Sequence, residues 1–269
     1  MTTLPDKARQ RGFTKKALAT RFSSLASIDA KLSGAGFDWY PRTTAAMGPQ
    51  QDPARLKIVQ DATEGAVLRI DPDVASANWS LASLDVKTGR GRTFRYGYFS
   101  ARLRFTPQPY SNVWPRPAAW PSFWLTSPAA WDSPVGTLFA ELDIFEQLAG
   151  EETVQGSLHE WKHDTADGHL WADHSAVVGR LDGWHDYGVL WEPGRVTWFF
   201  DGKPVSTRTY GRGVTVATDG DTAWTAVDGT KVDALPEGTF SGLDDPLVLI
   251  VGTGPGAPLD VHSITVWTA

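Results

Sequence analysis

The chain has 269 residues, a formal net charge of −6 at pH 7 and no cysteine. This length can bury a full core as one domain, and the lack of cysteine excludes disulfides, thiolate metal sites and a cysteine nucleophile. No cluster of Lys and Arg is denser than that between Lys7 and Lys16, which argues against nucleic acid or an anionic membrane as a partner.

The N-terminal residues are predicted to form a tail. Residues 1–22 are basic and lack a strand period, and a short helix over Lys15–Phe22 is the most structure that we expect there. They contain no apolar run of the kind that a secretory signal needs, and no later run could span a membrane. Residues 23–269 are then predicted to form a single domain without internal repeats.

From Ala66 onward, short runs of β-branched, aromatic and other apolar residues alternate with Gly, Pro, Asp and Ser clusters, which is typical of an all-β sandwich. The predicted strands are Ala66–Ile70, Trp79–Val86, Gly97–Phe105, Ser122–Thr126, Phe139–Phe145, Val154–Glu160, His185–Trp191, Val196–Phe200, Pro246–Val251 and Ser263–Trp267. The pair Asp201-Gly202 predicts a tight hairpin. Residues 206–240, with weak periodicity, are predicted to form a functional loop or an extra hairpin.

Three acids lie within six residues of one predicted strand, at Glu141, Asp143 and Glu146. Residues i and i+2 share a face of a regular strand, so Glu141 and Asp143 point one way while Glu146 would point into the core. Burying an unpaired carboxylate is costly. We therefore predict a β-bulge at Ile144-Phe145, because one extra residue returns Glu146 to the acidic face.

Three neighbouring carboxylates repel one another and raise at least one pKa. This yields a protonated acid beside an ionised nucleophile, as glycoside hydrolysis requires, with Asp143 able to hold the nucleophile. Cα atoms four regular positions apart lie roughly 13 Å from each other, whereas retaining carboxyl pairs are about 5–5.5 Å apart, so the two Glu side chains must lean together. An exposed strand face or a cation site stays open as the alternative.

The chain is rich in tryptophan, with 13 Trp against 2 Met. Many of these rings are expected in the core or in turns, because Trp is highly buried on average. Several lie in polar segments punctuated by Gly and Pro, where a flat ring can cover the apolar face of a sugar. The composition is thus compatible with a sugar-stacking cleft.

The string Glu-Leu-Asp-Ile-Phe-Glu at 141–146 resembles the signature of glycoside hydrolase family 16 in its bulged form. Four other segments resemble strands of that family in the same order, FRYGYFSARLRF (94–105), AWPSFWLTS (119–127), GSLHEW (156–161) and WHDYGVLWEPGRVTWFFDGKPV (184–205). The resemblance covers roughly residues 78 to 205, with a weaker echo in LDVHSITVW near the end. On these segments the chain is identified as a member of the family.

The resemblance implies an all-β jelly-roll sandwich of two curved antiparallel sheets, with the catalytic strand in a concave substrate cleft. It implies Glu141 as nucleophile, Asp143 as its electrostatic helper and Glu146 as general acid/base. The candidate substrate-binding residues are Trp120, Trp124, His159, Trp161, Tyr96, Arg90 and Asn78. His159 could hydrogen-bond Asp143 or a sugar hydroxyl.

The resemblance also bears on metals. Relatives have a calcium site on the outer sheet, but here the usual Val-Asp-Tyr of the last strand reads Val261-His262-Ser263, and no acidic pair precedes a Phe near the N-terminus. We predict no metal and no cofactor.

The resemblance implies a retaining endo-β-glycanase acting on a polysaccharide. The Trp-Pro-x-Phe-Trp segment favours an endo-β-1,3-glucanase, ahead of an endo-β-galactanase of the agarase or carrageenase type, mixed-linkage glucanase and xyloglucanase. A non-catalytic carbohydrate-binding sandwich and a phage or surface structural component are the rivals from other classes. We expect a monomer, and an extracellular location because large polysaccharides lie outside cells, although no signal peptide is visible.

Overall fold

The computed structural model describes residues 3–31, 34, 36–42, 52–72, 79–106, 120–131, 133–147, 153–163, 169–179, 181, 183–210, 224–225, 231–232, 241–254 and 258–269. Their regular secondary structure is almost entirely β-strand. The exceptions are a short helix α1 (Asp6–Gln10) and 3₁₀ turns at Pro53–Arg55, Pro128–Ala130 and Ser241–Asp244. None of the described helices is long and apolar enough to cross a membrane.

The strands in chain order are β1 (Lys15–Arg21), β2 (Tyr40–Arg42), β3 (Leu56–Asp61), β4 (Gly65–Ile70), β5 (Trp79–Ala82), β6 (Leu84–Asp85), β7 (Arg90–Gly91), β8 (Gly97–Phe105), β9 (Ser122–Thr126), β10 (Leu138–Glu146), β11 (Thr153–Lys162), β12 (His169–Gly179), β13 (His185–Glu192), β14 (Arg195–Phe200), β15 (Lys203–Thr209), β16 (Trp224–Thr225), β17 (Lys231–Val232), β18 (Val248–Thr253) and β19 (Leu259–Thr268).

Two large antiparallel sheets form the sandwich. One has the order β15-β14-β13-β8-β19-β4-β3 with β1 also paired to β19, and the other has the order β12-β11-β10-β9-β18-β5-β2. Their facing sides enclose the main core, to which both sheets contribute buried aliphatic and aromatic residues such as Leu142, Phe123, Phe99 and Trp191. The all-β jelly-roll sandwich predicted from the sequence is confirmed.

The ten predicted strands are all present, and Gly97–Phe105 and Ser122–Thr126 have the predicted bounds. The predicted run Trp79–Val86 is divided at Ser83, whose hydroxyl donates to Arg92 O and accepts from Leu249 N. The Asp201-Gly202 hairpin is confirmed, with φ angles of 47° and 75°. Of residues 206–240, most lie outside the described residues, apart from the end of β15 and the two-residue ladder of β16 with β17.

The prediction that residues 1–22 form a tail with a helix over Lys15–Phe22 is wrong. Residues 15–21 form β1, which pairs with the second half of β19, with Leu18 opposite Val266, while β4 pairs with the first residues of β19. Before it, Ala8 and Phe13 pack on a separate apolar cluster containing Trp267. The segment is ordered because its alternating residues find partners on the last strand of the chain, which no local pattern could show.

The outer face of the eight-stranded sheet carries ion pairs, among them those of Glu64. The Glu64 carboxylate lies 2.7 Å from Arg102 Nη2 and 3.2 Å from Nε2 of the buried His262. A hard cation needs such carboxylate oxygens as ligands. Because Arg102 and His262 already contact the Glu64 carboxylate, these residues do not fit a calcium ion.

Candidate active site

Strand β10 carries the three acids and contains the predicted bulge. Asp143 lies opposite Ser157 and Glu146 opposite Gln155, so three steps along β10 match two along β11. The register towards β9 shifts at the same place. Ile144 and Phe145 are both buried in the main core, which leaves Glu146 on the same side of the sheet as Glu141 and Asp143. We call this side, turned away from the core, the acidic face.

The neighbouring strands add aromatic and polar side chains to the acidic face. Residues that pair across an antiparallel ladder point to the same side. His159 therefore lies beside Glu141, and Trp124 lies beside Asp143 on the opposite flank. The seven-stranded sheet thus places the acids in its middle, between an imidazole and an indole.

Polar side chains of neighbouring residues contact the three acids. His159 Nε2 lies 3.0 Å from Asp143 Oδ2 and 4.0 Å from Glu141 Oε1. At the other end, the indole N–H of Trp120 donates to Glu146 Oε1, and the Gln155 side chain also bonds this carboxyl. The acids are therefore oriented by specific partners on β11 and on the segment before β9.

The environment raises the pKa of all three carboxyls. Burial raises the pKa of Glu141 well above its usual range, the charge of Asp143 adds to this, and His159 opposes it. Burial raises the pKa of Asp143 to about 8. Burial and the Asp143 charge raise the pKa of Glu146 to about 7, against the hydrogen bond from Trp120. Protons are therefore available in this cluster near neutral pH, which suits acid and base chemistry.

The raised pKa of Asp143 predicts that its carboxyl destabilises the fold at high pH. Because the folded state binds this proton more tightly than the unfolded chain, the contribution of Asp143 to stability is complete below about pH 4 and is lost as pH rises towards 8. We expect Asp143→Asn to be more stable than the wild type at pH 8, by about 1–3 kcal/mol, with little difference at pH 4. Urea unfolding at both pH values measures this, and a difference that does not change with pH would contradict it.

The predicted aromatic residues differ in exposure. Trp120 is 42% exposed next to Glu146. Trp124 is 9% exposed and belongs to a small apolar cluster on the acidic face with Ala82, Val248 and Ile250. Trp161 stacks on His159 with ring centroids 5.7 Å apart. Trp120 is therefore best placed to contact a ligand with its ring, while Trp124 forms part of the floor.

The other candidates lie on other elements. Tyr96 has a positive φ of 59° just before β8, donates its hydroxyl to Asp244 at 2.8 Å and packs edge-on against Trp191. Arg90 is exposed on the β6–β7 hairpin. Asn78 lies outside the described residues. A binding role for these three stays a prediction.

The sequence analysis did not single out Gln155, Ser157 or Trp198. Gln155 and Ser157 alternate with His159 along β11, so the period of two could have identified them as neighbours of the acids. Trp198 comes from the opposite sheet and bonds a backbone carbonyl of β10, for which no sequence pattern exists.

The spacing of one group of donor atoms would allow it to hold a cation. Single ligand atoms of Glu141, Asp143 and His159 all lie within 4.8 Å of one another. His159 Nε2 lies 3.0 Å from Asp143 Oδ2 and 4.0 Å from Glu141 Oε1 within this group.

Comparison with known proteins identifies the family of this chain. The family model described as Glycosyl hydrolases family 16 matches residues 56–219. The endo-1,3-1,4-β-glycanase ExsH of Rhizobium meliloti (strain 1021) is 30% identical over 112 residues, which are 41% of this chain and 20% of that protein. The chain therefore spans about a fifth of the length of this curated relative.

Solved structures share the fold at low sequence identity. A variant of the family 16 endo-β-1,3(4)-glucanase SCLam, crystallised with a glucan oligosaccharide, matches with a TM-score of 0.58 and 16% identity over 95% of both chains. A variant of LamA from Z. galactanivorans in complex with laminaritriose and laminaritetraose matches at 0.59 and 11%, over 95% of this chain and 100% of that one. A laminarinase catalytic domain from Thermotoga petrophila RKU-1 matches at 0.55 and 13%, over 94% and 97%.

Proposed function

The chain belongs to glycosyl hydrolase family 16, and from that membership we propose that it is a retaining endo-β-glucanase that cuts β-1,3 linkages. The observation that carries the proposal is the bulge in β10, because it brings Glu141, Asp143 and Glu146 to one face of the sheet. The same face carries Trp120 and His159 in contact with these acids.

The proposed reaction has two steps. In the first, a Glu141 oxygen bonds to the anomeric carbon, the glycosidic bond breaks, and Glu146 gives its proton to the departing oxygen. In the second, the Glu146 carboxylate takes a proton from water, the water oxygen bonds to the anomeric carbon, and Glu141 leaves. Two displacements retain the anomeric configuration.

The carboxyls of the cluster are electrostatically coupled. A charge on one carboxylate raises the pKa of its neighbour, as the charge of Glu146 does for Glu141, so the pair tends to hold one proton when the other carboxyl ionises. The proposal places that proton on Glu146 when Glu141 attacks. His159 lies between Asp143 and Glu141 and favours negative charge at Glu141. When the glycosyl-enzyme forms, the Glu141 charge disappears and Glu146 can act as a base.

A neutral glucan fits this site better than a sulfated galactan. Besides burial, the described groups that shift the pKa of Glu146 are Asp143, His159, Trp120 and Gln155, none of them a lysine or arginine. A sulfate ester would bring further negative charge to an acidic cluster. Among neutral polymers, the proposal of a β-1,3 linkage is supported by the segment AWPSFWLTS and by the names of the similar glycanase and glucanases given above.

The test is product sizing on laminarin, lichenan, agarose and carrageenan, with Glu141→Gln as the inactive control. We expect laminarin oligosaccharides from the wild type alone, and proton NMR of the first product should show the β anomer. An α anomer in the first product contradicts the retaining mechanism. Binding of a polymer without cleavage would support a carbohydrate-binding module instead.

The hydrogen bond from Trp120 predicts the pH dependence of this reaction. The indole N–H stabilises the ionised Glu146 and so lowers the pKa of this carboxyl. In Trp120→Phe the pKa should rise, and the alkaline limb of kcat/KM on a soluble laminarin oligosaccharide should move up by about 0.5–1 pH unit. A pH profile of both proteins measures this, and a downward shift would contradict it.

The proposed substrate also sets the proposed location. A polymer too large to enter a cell places the enzyme outside it, and we propose that it acts there as a monomer. Fractionation of the producing culture and light scattering of the purified protein test the two statements separately.

A further inference from the structure

One side chain of the opposite sheet holds the bulge. Trp198 lies on β14, is 1% exposed, and crosses the interior of the sandwich. Its indole N–H donates to the backbone carbonyl of Asp143 at 2.7 Å. This carbonyl lies where the ladder between β10 and β11 changes register.

A bulge leaves backbone groups without a partner across the strand, and a buried carbonyl without a hydrogen bond is costly. The Trp198 N–H supplies a donor at that point. The interaction therefore stabilises the bulged form of β10 over a regular one, in which Glu146 would face the core.

The partner strand makes room for this ring. A Cβ atom on Gly156 would lie 2.2 Å from Trp198 Nε1 and 2.3 Å from Trp198 Cδ1. Gly156 lies on β11 between Gln155 and Ser157, the residues opposite Glu146 and Asp143. The absence of a side chain there admits the indole to the bulge.

We propose that Trp198 is a positioning residue for catalysis, which sets the place of Glu146 relative to Glu141 through the Asp143 carbonyl. The proposal rests on the proposed function and deepens it. Glu141 lies before the bulge and Glu146 after it, so a change in the bulge moves the acid/base relative to the nucleophile. A displacement of about 1 Å at a reacting group can cost on the order of 10²-fold in rate.

The test compares two buried tryptophans on adjacent strands. Trp198→Phe keeps an aromatic ring and removes the N–H that bonds Asp143 O. The matched control is Trp191→Phe, since Trp191 is equally buried and its N–H bonds the Tyr210 hydroxyl at 3.0 Å. Both variants lose one buried indole hydrogen bond, but only one of these bonds reaches β10.

We expect Trp198→Phe to lower kcat on laminarin by roughly 10- to 100-fold with KM changed less than about threefold, while Trp191→Phe stays within about threefold of the wild type. The loss in kcat/KM, which reports the first step alone, should be smaller on a dinitrophenyl β-laminaribioside, whose leaving group needs no proton. Equal losses in the two variants, or an equal loss of kcat/KM on both substrates, would overturn the proposal.

A second variant disturbs the same hydrogen bond, from Trp198 to the Asp143 carbonyl, by a steric change. Gly156→Ala keeps the Trp198 N–H but pushes the ring away from the bulge. If both changes act through the bulge, the double variant should lose little more kcat than either single one. Multiplied losses contradict the proposal. Should Trp198→Phe not fold, sulfur in place of the indole N–H (benzothienylalanine at 198) removes the donor and keeps the ring shape.

A readout without turnover separates this proposal from the proposed function. In protein labelled with ¹³C at the Glu carboxyls, we expect the titration midpoint of Glu146 to move in Trp198→Phe by at least about 0.5 pH unit, and not in Trp191→Phe. If the wild type cuts no glucan but the Glu146 midpoint still differs between wild type and Trp198→Phe, the glucanase proposal is refuted and the effect of Trp198 on Glu146 stands. An unmoved midpoint in an active enzyme refutes the positioning role alone.

Discussion

Glu141→Ala is expected to lose roughly four orders of magnitude or more in kcat on laminarin, because it removes the proposed nucleophile from a group of residues that act together. The same variant should cut a dinitrophenyl β-laminaribioside when azide is added. Azide fits the space left by the carboxylate and attacks the anomeric carbon from the face opposite the leaving group. The product should therefore be the α-glycosyl azide, which proton NMR identifies.

The matched control for this variant is Glu192→Gln. Glu192 is also a buried carboxylate, but it lies on the other sheet and bonds Arg195 at 3.1 Å. We expect this control to lose stability and to keep its activity on laminarin. A Glu141→Ala protein that retains more than about one hundredth of the wild-type rate would contradict the assignment of Glu141 as nucleophile.

The acidic face could be predicted from the sequence because the free-energy cost of burying a carboxylate constrains the few residues from Glu141 to Glu146. A regular strand would bury Glu146, so only a bulge reconciles the acids with the apolar Ile144 and Phe145. His159 and Trp124 followed from segments that resemble family strands. The contacts of His159 with Asp143 and Glu141 then needed the register of β10 with β11, which depends on the whole sheet.

Other features could not be predicted because their partners are distant in the chain. Strand β1 has only Ala17, Leu18 and Ala19 as an apolar run, and its partner β19 is the last strand. The position of Trp198 shows an apolar residue in a predicted strand and nothing more. Its role depends on a carbonyl 55 residues away, freed by a bulge, and on a glycine that leaves space.

Glu146→Ala should give the second largest effect, and its pattern should differ from that of Glu141→Ala. Without the proton donor, we expect cleavage of laminarin to fall by on the order of 10³-fold or more, close to the usual contribution of general acid catalysis. Formation of the glycosyl-enzyme from a dinitrophenyl β-laminaribioside should continue, because that leaving group departs without a proton. A burst of dinitrophenol followed by slow turnover measures this.

The second half of the reaction identifies the base. In Glu146→Ala no carboxylate activates the water, so the glycosyl-enzyme should accumulate and mass spectrometry should find the sugar on the peptide that contains Glu141. Azide needs no base, and it attacks the anomeric carbon from the side that Glu146 occupied. The product should be the β-glycosyl azide, the opposite anomer to that from Glu141→Ala. Because two displacements and one displacement give opposite anomers, the same anomer from both variants would show that the roles of the two glutamates are not divided as proposed.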